Sequence, residues 1–190
     1  MRLPCPWRSV YQILDYFYQN LTSDYQQSGF IQKCIQQGLE LKAVLSDPAD
    51  IRPCRGDLNP YNILFDGNKL YLVDWVTASP QSFYFDSDGF CQIFLTEYFE
   101  HLPSADENEK FILMRKFMNI YYGIMFIFMS LQANVKLSPL SESDIASLPG
   151  YPEFMKSIGA GKVNLADPET QQRFGYVFLN TALNSSMILG

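Results

Sequence analysis

The chain has 190 residues, of which 47% are hydrophobic and 18% charged, a composition that predicts a globular protein with a packed core and excludes a disordered chain. Its 14 basic and 20 acidic side chains give a net charge of −6, so we expect no nucleic-acid partner, because few cations would be left to neutralise phosphates. The acidic balance suits a small cationic substrate better.

Two helices are predicted in the first fifty residues. Apolar side chains fall at helical spacing from Ser9 to Leu21 and again from Phe30 to Leu45. Asp47-Pro48 is expected to end the second helix. The next segment, Ile51-Arg52-Pro53, is expected to be extended, because residues before a proline avoid the helical region.

A small β-hairpin is predicted next. The short apolar runs 62–65 and 70–73 are joined by Asp66-Gly67-Asn68-Lys69, whose Asp-Gly step is typical of a hairpin turn. The hairpin connects a loop that ends at Asn62 to a second loop that begins at Asp74.

The rest of the chain is predicted to be mostly helical. A helix is expected over 87–99, and a longer one begins at Ser104, which has capping-box spacing to Glu107. Residues 138–152 are predicted to form a looser connector, and Asp167-Pro168 is a good start for a final helix.

We therefore predict an α+β, predominantly helical fold in a single domain, residues 1–190. Its helices cover 9–45, a loop and hairpin cover 52–75, and a helical remainder covers 86–190.

The uncharged segment from Phe117 to Val135 needs separate interpretation. Its roughly 19 residues approach the length of a membrane-spanning helix. Its polar residues Asn119, Ser130 and Gln132 also fit a helix buried on most sides of a soluble protein, which is the reading we favour over membrane association.

Histidine and cysteine usage narrows the possible chemistry. The only histidine, His101, excludes a multi-histidine metal site and leaves little room for a Ser-His or Cys-His mechanism. The four cysteines form no Cys-x-x-Cys pair, and the first seven residues do not resemble a signal peptide. We expect reduced thiols and a cytoplasmic location.

Three side chains that carry oxygen are expected to meet at one end of the hairpin. Asp57 and Asn62 lie five positions apart in the loop that enters the hairpin, and Asp74 follows its second strand. Carboxylate and amide oxygens are ligands that Mg²⁺ prefers when substrate phosphates complete its coordination. Asp57 is a candidate to accept the proton of an attacking hydroxyl group. The alternative is that these residues are turn formers and a strand cap.

The amino-acid sequence of this region resembles that of a known family. Gly56-Asp57-Leu58-Asn59-Pro60-Tyr61-Asn62-Ile63-Leu64, followed by an apolar strand and Asp74-Trp75, is similar to the catalytic and metal-binding loops of aminoglycoside phosphotransferases and of choline and ethanolamine kinases. These enzymes have a protein-kinase-like fold. The resemblance implies that this chain is its C-terminal lobe, with the hairpin carrying both loops.

The resemblance also implies roles for individual residues. Asp57 would be the catalytic base, Asn62 and Asp74 would bind Mg²⁺, and ATP would donate the phosphoryl group to a small cationic alcohol such as choline, ethanolamine or an aminoglycoside. Asp86 is similar to the later family aspartate that braces the catalytic loop.

Two departures from the family pattern stand out. Arg55 occupies the place of a usual histidine, where its guanidinium would either brace Asp57 or Asp74 or neutralise the site and weaken metal binding. The residues before the motif predict helices, without a strand lysine or a glycine-rich turn, so we expect the N-terminal nucleotide lobe to be absent. Lys162, in Gly159-Ala160-Gly161-Lys162, lacks the full spacing of a phosphate-binding loop, and we interpret it as part of a connector.

Two functional hypotheses result. The first is an ATP-dependent small-molecule kinase with reduced or no activity as this chain alone. The second is a degenerate kinase-fold module that binds a ligand or partner without catalysis. In either case we expect a separate N-terminal lobe or self-association to cover exposed apolar surface.

Overall fold

In the computed structural model of the protein, the structure describes residues 9–54, 62–74, 79–82, 101–133 and 135–184. The elements there make the fold α+β and mostly helical, which confirms the predicted class. In chain order they are α1 (Val10–Gln19), α2 (Ser23–Gln26), α3 (Gly29–Leu45), a 3₁₀ helix (Pro48–Asp50), β1 (Ile51–Cys54), β2 (Ile63–Phe65), β3 (Leu70–Leu72), β4 (Ser79–Ser82), α4 (Ala105–Ser130), α5 (Glu142–Ala146), α6 (Tyr151–Gly159) and α7 (Pro168–Asn184).

The helix starts that the sequence indicated are present. At the start of α4, the Ser104 amide donates to Glu107 Oε2 over 2.7 Å, and the Glu107 amide donates to Ser104 Oγ over 3.2 Å. At the start of α7, the Thr170 amide donates to Asp167 Oδ2 over 2.8 Å. Each bond satisfies an amide that the first helical turn leaves without a partner. The predicted helix over 87–99 lies outside the described residues.

The chain divides into two compact units, which we describe separately. The first unit comprises residues 1–13 and 42–115, and the second comprises residues 14–41 and 116–190. The predicted single domain over 1–190 stays a prediction.

The strands of the first unit form two separate two-stranded antiparallel sheets. One pairs β1 with β4 and the other pairs β2 with β3. The predicted hairpin is the second of these. Strand β1 was expected to be extended, but its pairing with β4 was not foreseen from the sequence, because Ser79-Pro80-Gln81-Ser82 has none of the apolar alternation that predicts a strand.

Aromatic side chains build much of the core of the second unit. Phe174 lies at the centre, with ring centroids 4.6 Å from Phe178 and 4.9 Å from both Phe126 and Phe154. Pairs at such separations stabilise a core beyond the area they bury. This cluster ties α4, α6 and α7 together.

Two glycines let α4 and α7 approach closely. A Cβ atom added to Gly175 would lie 2.7 Å from the carbonyl oxygen of Gly123 and 2.8 Å from Ile127 Cγ1. One added to Gly123 would lie 2.5 Å from Leu179 Cδ2. The crossing therefore depends on the absence of side chains at both positions, because backbone atoms on the facing helix cannot move aside.

The segment 138–152 is more ordered than the predicted connector. It contains α5, which begins with a capping box between Ser141 and Asp144. The Leu140 amide donates to the Tyr176 hydroxyl over 3.2 Å, and Gln172 Nε2 donates to the Ser138 carbonyl over 2.6 Å. The local sequence pattern does not predict this order, because the hydrogen bonds that impose it come from α7, more than thirty residues away.

The apolar segment considered for membrane insertion lies within α4. Helix Ala105–Ser130 is long and apolar enough to cross a membrane, and half of its most apolar window is buried inside the protein. Such burial is compatible with the core helix of a soluble protein, and a single helix of this kind is weak evidence for a membrane span.

Candidate functional site

The hairpin forms in the register that its sequence predicts. Ile63 pairs with Leu72, Leu64 with Tyr71 and Phe65 with Leu70. The connecting turn requires the glycine, since Gly67 has φ of +96°, a conformation that other residues rarely adopt.

Asp66 holds the turn together. Its Oδ1 accepts hydrogen bonds of 2.8 Å from the amides of Asn68 and Lys69, and its Oδ2 accepts one of 2.9 Å from the Tyr71 hydroxyl. The bonds from the two amides, followed by the one from Tyr71, lower the pKa of Asp66 below its usual value, since they favour the ionised carboxylate. This aspartate therefore has a structural role at the turn end of the hairpin.

Asn62 and Asp74 lie at the opposite end. The Val73 amide donates to the Asn62 carbonyl over 3.0 Å, so the antiparallel pairing continues one residue beyond the strands. Asp74 is the next residue after Val73, which brings it close to Asn62 although the two are twelve positions apart. Of the three residues whose side chains are expected to converge, Asn62 and Asp74 lie at the same end of the hairpin, and Asp57 lies outside the described residues.

The backbone of Asp74 is unusual. Its φ of 60° is in the left-handed region, and among the described residues it is the only one other than glycine with a positive φ. Aspartate and asparagine tolerate this conformation better than most residues, and it recurs at ligand-binding and catalytic positions. The chain thus turns sharply where the second predicted Mg²⁺ ligand stands.

The sheet formed by β1 and β4 pairs the residues on either side of the segment 55–78, which contains the candidate site. Cys54, the last described residue before the motif, pairs with Ser79. The Cys54 thiol is buried and donates to the Ser82 carbonyl, with Sγ 3.5 Å from the oxygen. Cys54 and Ser79, which flank residues 55–78 in the sequence, are therefore register partners in this sheet.

Asp57, Arg55 and Asp86 all lie outside the described residues. Their roles as catalytic base and as groups that brace the loop stay predictions.

The glycine-rich stretch near Lys162 is the end of a helix. The Lys162 amide donates to the Ser157 carbonyl and the Gly161 amide to the Ile158 carbonyl, both over 2.9 Å, and Gly161 has φ of +66°. A left-handed glycine that closes the last helical turn is a common helix terminus. The interpretation of this stretch as a connector agrees with that geometry.

One charged cluster in the first unit was not anticipated. Lys110 Nζ lies 3.1 Å from Asp50 Oδ2, 3.7 Å from Asp47 Oδ2 and 3.6 Å from Asp106 Oδ2. The hydrogen bond to Asp50 is the main cause that raises the pKa of Lys110. The ammonium group thus already compensates these carboxylates. No group of three or more histidine, cysteine, aspartate or glutamate side chains in the described ranges could hold a metal ion.

Comparison of the chain with models of known protein families, with curated proteins and with solved structures found no match.

Proposed function

We propose that this chain is the catalytic-loop region of an ATP-dependent phosphotransferase of the aminoglycoside and choline kinase type. The observation that carries the proposal is the backbone pairing of Val73 with Asn62. It brings Asn62 and Asp74, the two expected metal ligands, to the same end of the hairpin. The left-handed backbone at Asp74 adds support, since residues other than glycine are uncommon in this region and recur at ligand-binding and catalytic positions.

Asn62 and Asp74 would hold Mg²⁺ through one amide oxygen and one carboxylate, a donor set that suits this ion. The bound metal would neutralise charge on the phosphates of ATP. Asp57 would accept the proton of the acceptor hydroxyl as that oxygen forms its bond to the γ-phosphorus, with ADP as leaving group. Base catalysis of this kind contributes about 10²- to 10⁴-fold. We expect slow transfer from residues 1–190 by themselves.

A small cationic alcohol is the acceptor that best fits the composition. The net charge of −6 attracts cations, and several acidic residues follow the motif in sequence, among them Glu97, Glu100 and Glu109. A cytoplasmic location, where ATP and Mg²⁺ are available, is part of the proposal.

Titration calorimetry with Mg-ATP tests the metal-binding role. We expect the full chain to bind Mg-ATP with micromolar affinity, and Asp74→Asn to abolish the binding, because asparagine keeps the backbone conformation but removes the charge. The control is Asp15→Asn, which removes the same charge from an exposed position on α1. Absence of heat at millimolar nucleotide, or equal loss in both variants, would contradict the proposal.

The second candidate is a kinase-fold module that binds without catalysis, and Arg55 favours it. A permanent cation at position 55, two residues before Asp57 in the sequence, would compete with Mg²⁺ if its guanidinium faced the metal ligands. If this candidate is correct, Arg55→His will create or strengthen Mg-ATP binding. If the kinase is correct, the same substitution will change nucleotide affinity little and act on the rate of transfer to choline or an aminoglycoside.

A further inference from the structure

The second unit contains a cleft of about 330 Å³ that is separate from the hairpin residues. The start of α3, the helix α5 and the last turn of α7 line it. Its volume lies at the lower end of the range for small-molecule sites, which is roughly 300 to 1,000 Å³. It can therefore take a ligand of modest size.

The cleft carries one charge of each sign. Lys33 of α3 and Glu142 of α5 both line it, and the structure has no ion pair between them, since their charged atoms are more than 4.0 Å apart. Exposed ion pairs bring little stability, so pairing with each other would not hold these side chains in place. A molecule with an anionic and a cationic end can satisfy both charges at once.

The floor of the cleft is apolar and fixed by packing. Ile145 is buried, and the Phe30 ring lies against Tyr176 with the ring centroids 5.9 Å apart. Leu183 contributes further apolar surface. This floor offers apolar surface to the methylene chain of a ligand.

Two amide side chains complete the lining. Asn184 Nδ2 donates to Asn180 Oδ1 over 2.7 Å, which fixes the orientation of both amides. The side-chain atoms Asn180 Nδ2 and Asn184 Oδ1 take no part in that bond, so they offer one donor and one acceptor to a polar ligand. Apolar surface with a few placed polar groups is the usual composition of a small-molecule site.

We propose that this cleft binds a small zwitterion whose ammonium group pairs with Glu142 and whose carboxylate pairs with Lys33, with a short aliphatic chain on Phe30 and Ile145. An ω-amino carboxylate has this chemistry. The proposal does not depend on the proposed function, because the cleft residues belong to the second unit and Asn62 and Asp74 belong to the first.

Chemical-shift titration of the full chain, labelled with ¹⁵N, tests the proposal. The probes are 4-aminobutanoate and 6-aminohexanoate, with butylamine and butanoate as ligands that carry only one of the charges. We expect saturable shifts at cleft amides with a Kd on the order of 1 mM for the better zwitterion, and at least about fivefold weaker binding of the single-charge ligands.

Variants identify the charges involved. Lys33→Met and Glu142→Gln should each weaken zwitterion binding by about fivefold, the loss expected when one partly exposed ion pair is removed. The matched controls Lys156→Met and Glu153→Gln remove the same charges from exposed positions on α6 and should leave affinity unchanged. Thermal melts check that every variant is folded. Absence of saturable shifts up to about 10 mM, or unchanged affinity in both cleft variants, would overturn the proposal.

Discussion

The aromatic core of the second unit and the hairpin of the first unit use apolar residues in opposite ways. In the core, Phe174 and Phe154 are buried against neighbouring rings. In the hairpin, Phe65 is 65% exposed and its register partner Leu70 is 68% exposed. Both regions are rich in large apolar side chains, and only the first buries them within the part of the chain that the structure describes.

The difference shows how far a local pattern determines burial. A helix presents its apolar stripe on one side, so the spacing of α1 and α3 predicts which residues are covered. The hairpin is apolar on both faces, because Phe65 and Leu70 share one face while Leu64 and Tyr71 share the other. Strands of this composition are usually covered on both sides. Their burial depends on contacts that the hairpin itself does not encode.

The largest expected effect is at the helix crossing. Gly175→Ala should lower the free energy of unfolding by about 2 to 3 kcal/mol, because the new Cβ would meet backbone of α4. Urea unfolding followed by circular dichroism measures the loss. Gly159→Ala is the control, since a Cβ there meets nothing within 4 Å. Equal stability of the two variants would show that α4 and α7 can move apart at Gly175, so that this core is packed less tightly than the structure indicates.

A smaller effect is expected at the buried amide of Gln172. Its Nε2 donates to the Ser138 carbonyl and to the Tyr25 hydroxyl, so Gln172→Met should cost about 1 to 2 kcal/mol by leaving both groups without this donor. The control is Gln171→Met, at the neighbouring half-buried position. A loss confined to Gln172, measured in the same urea experiment, would confirm that order in segment 138–152 comes from α7.

Raising the pH above 10 should lower the stability of the second unit, because its buried Tyr25 resists ionisation. Burial raises the pKa of Tyr25 from its usual 10.0 to about 12, and the hydrogen bond from Gln172 opposes this only in part. The unfolded chain therefore loses its proton first, so the stabilisation is complete below pH 10 and is lost as pH rises through about 12. Melting temperatures between pH 8 and pH 12 should fall, and Tyr25→Phe should fall less steeply. Identical slopes would contradict the assignment.

The smallest effect on stability is expected in the hairpin. Replacing Phe65 and Leu70 together by serine should change the free energy of unfolding by less than about 0.5 kcal/mol, because both side chains are already exposed. The same double variant should reduce self-association in light scattering at high protein concentration. The control Leu39→Ser removes a singly exposed leucine on α3 and should not change association. A wild-type protein that stays monomeric at high concentration would show that the exposed hairpin does not drive self-association.

Much of the secondary structure was predictable because its signals are local. The capping residues Ser104 and Asp167 and the Asp66-Gly67 turn each act within four residues, and all three are present. The pairing of β1 with β4 and the close approach at Gly123 and Gly175 were not predictable, since each depends on residues that meet only after folding.

The candidate site was predictable to the same extent. The hairpin register follows from its turn, and with it the proximity of Asn62 to Asp74. The left-handed backbone of Asp74 gives no sequence signal, because aspartate is common in ordinary conformations too.

That backbone conformation makes position 74 a place where folding and chemistry can be selected separately. In a library of all twenty residues, glycine and asparagine should preserve the hairpin, since both accept a φ of 60°, whereas valine and isoleucine should disrupt it. Only aspartate would combine the permitted backbone with a carboxylate. A screen for folding should therefore enrich glycine, asparagine and aspartate at this position, and a screen for metal-dependent nucleotide binding should enrich aspartate alone.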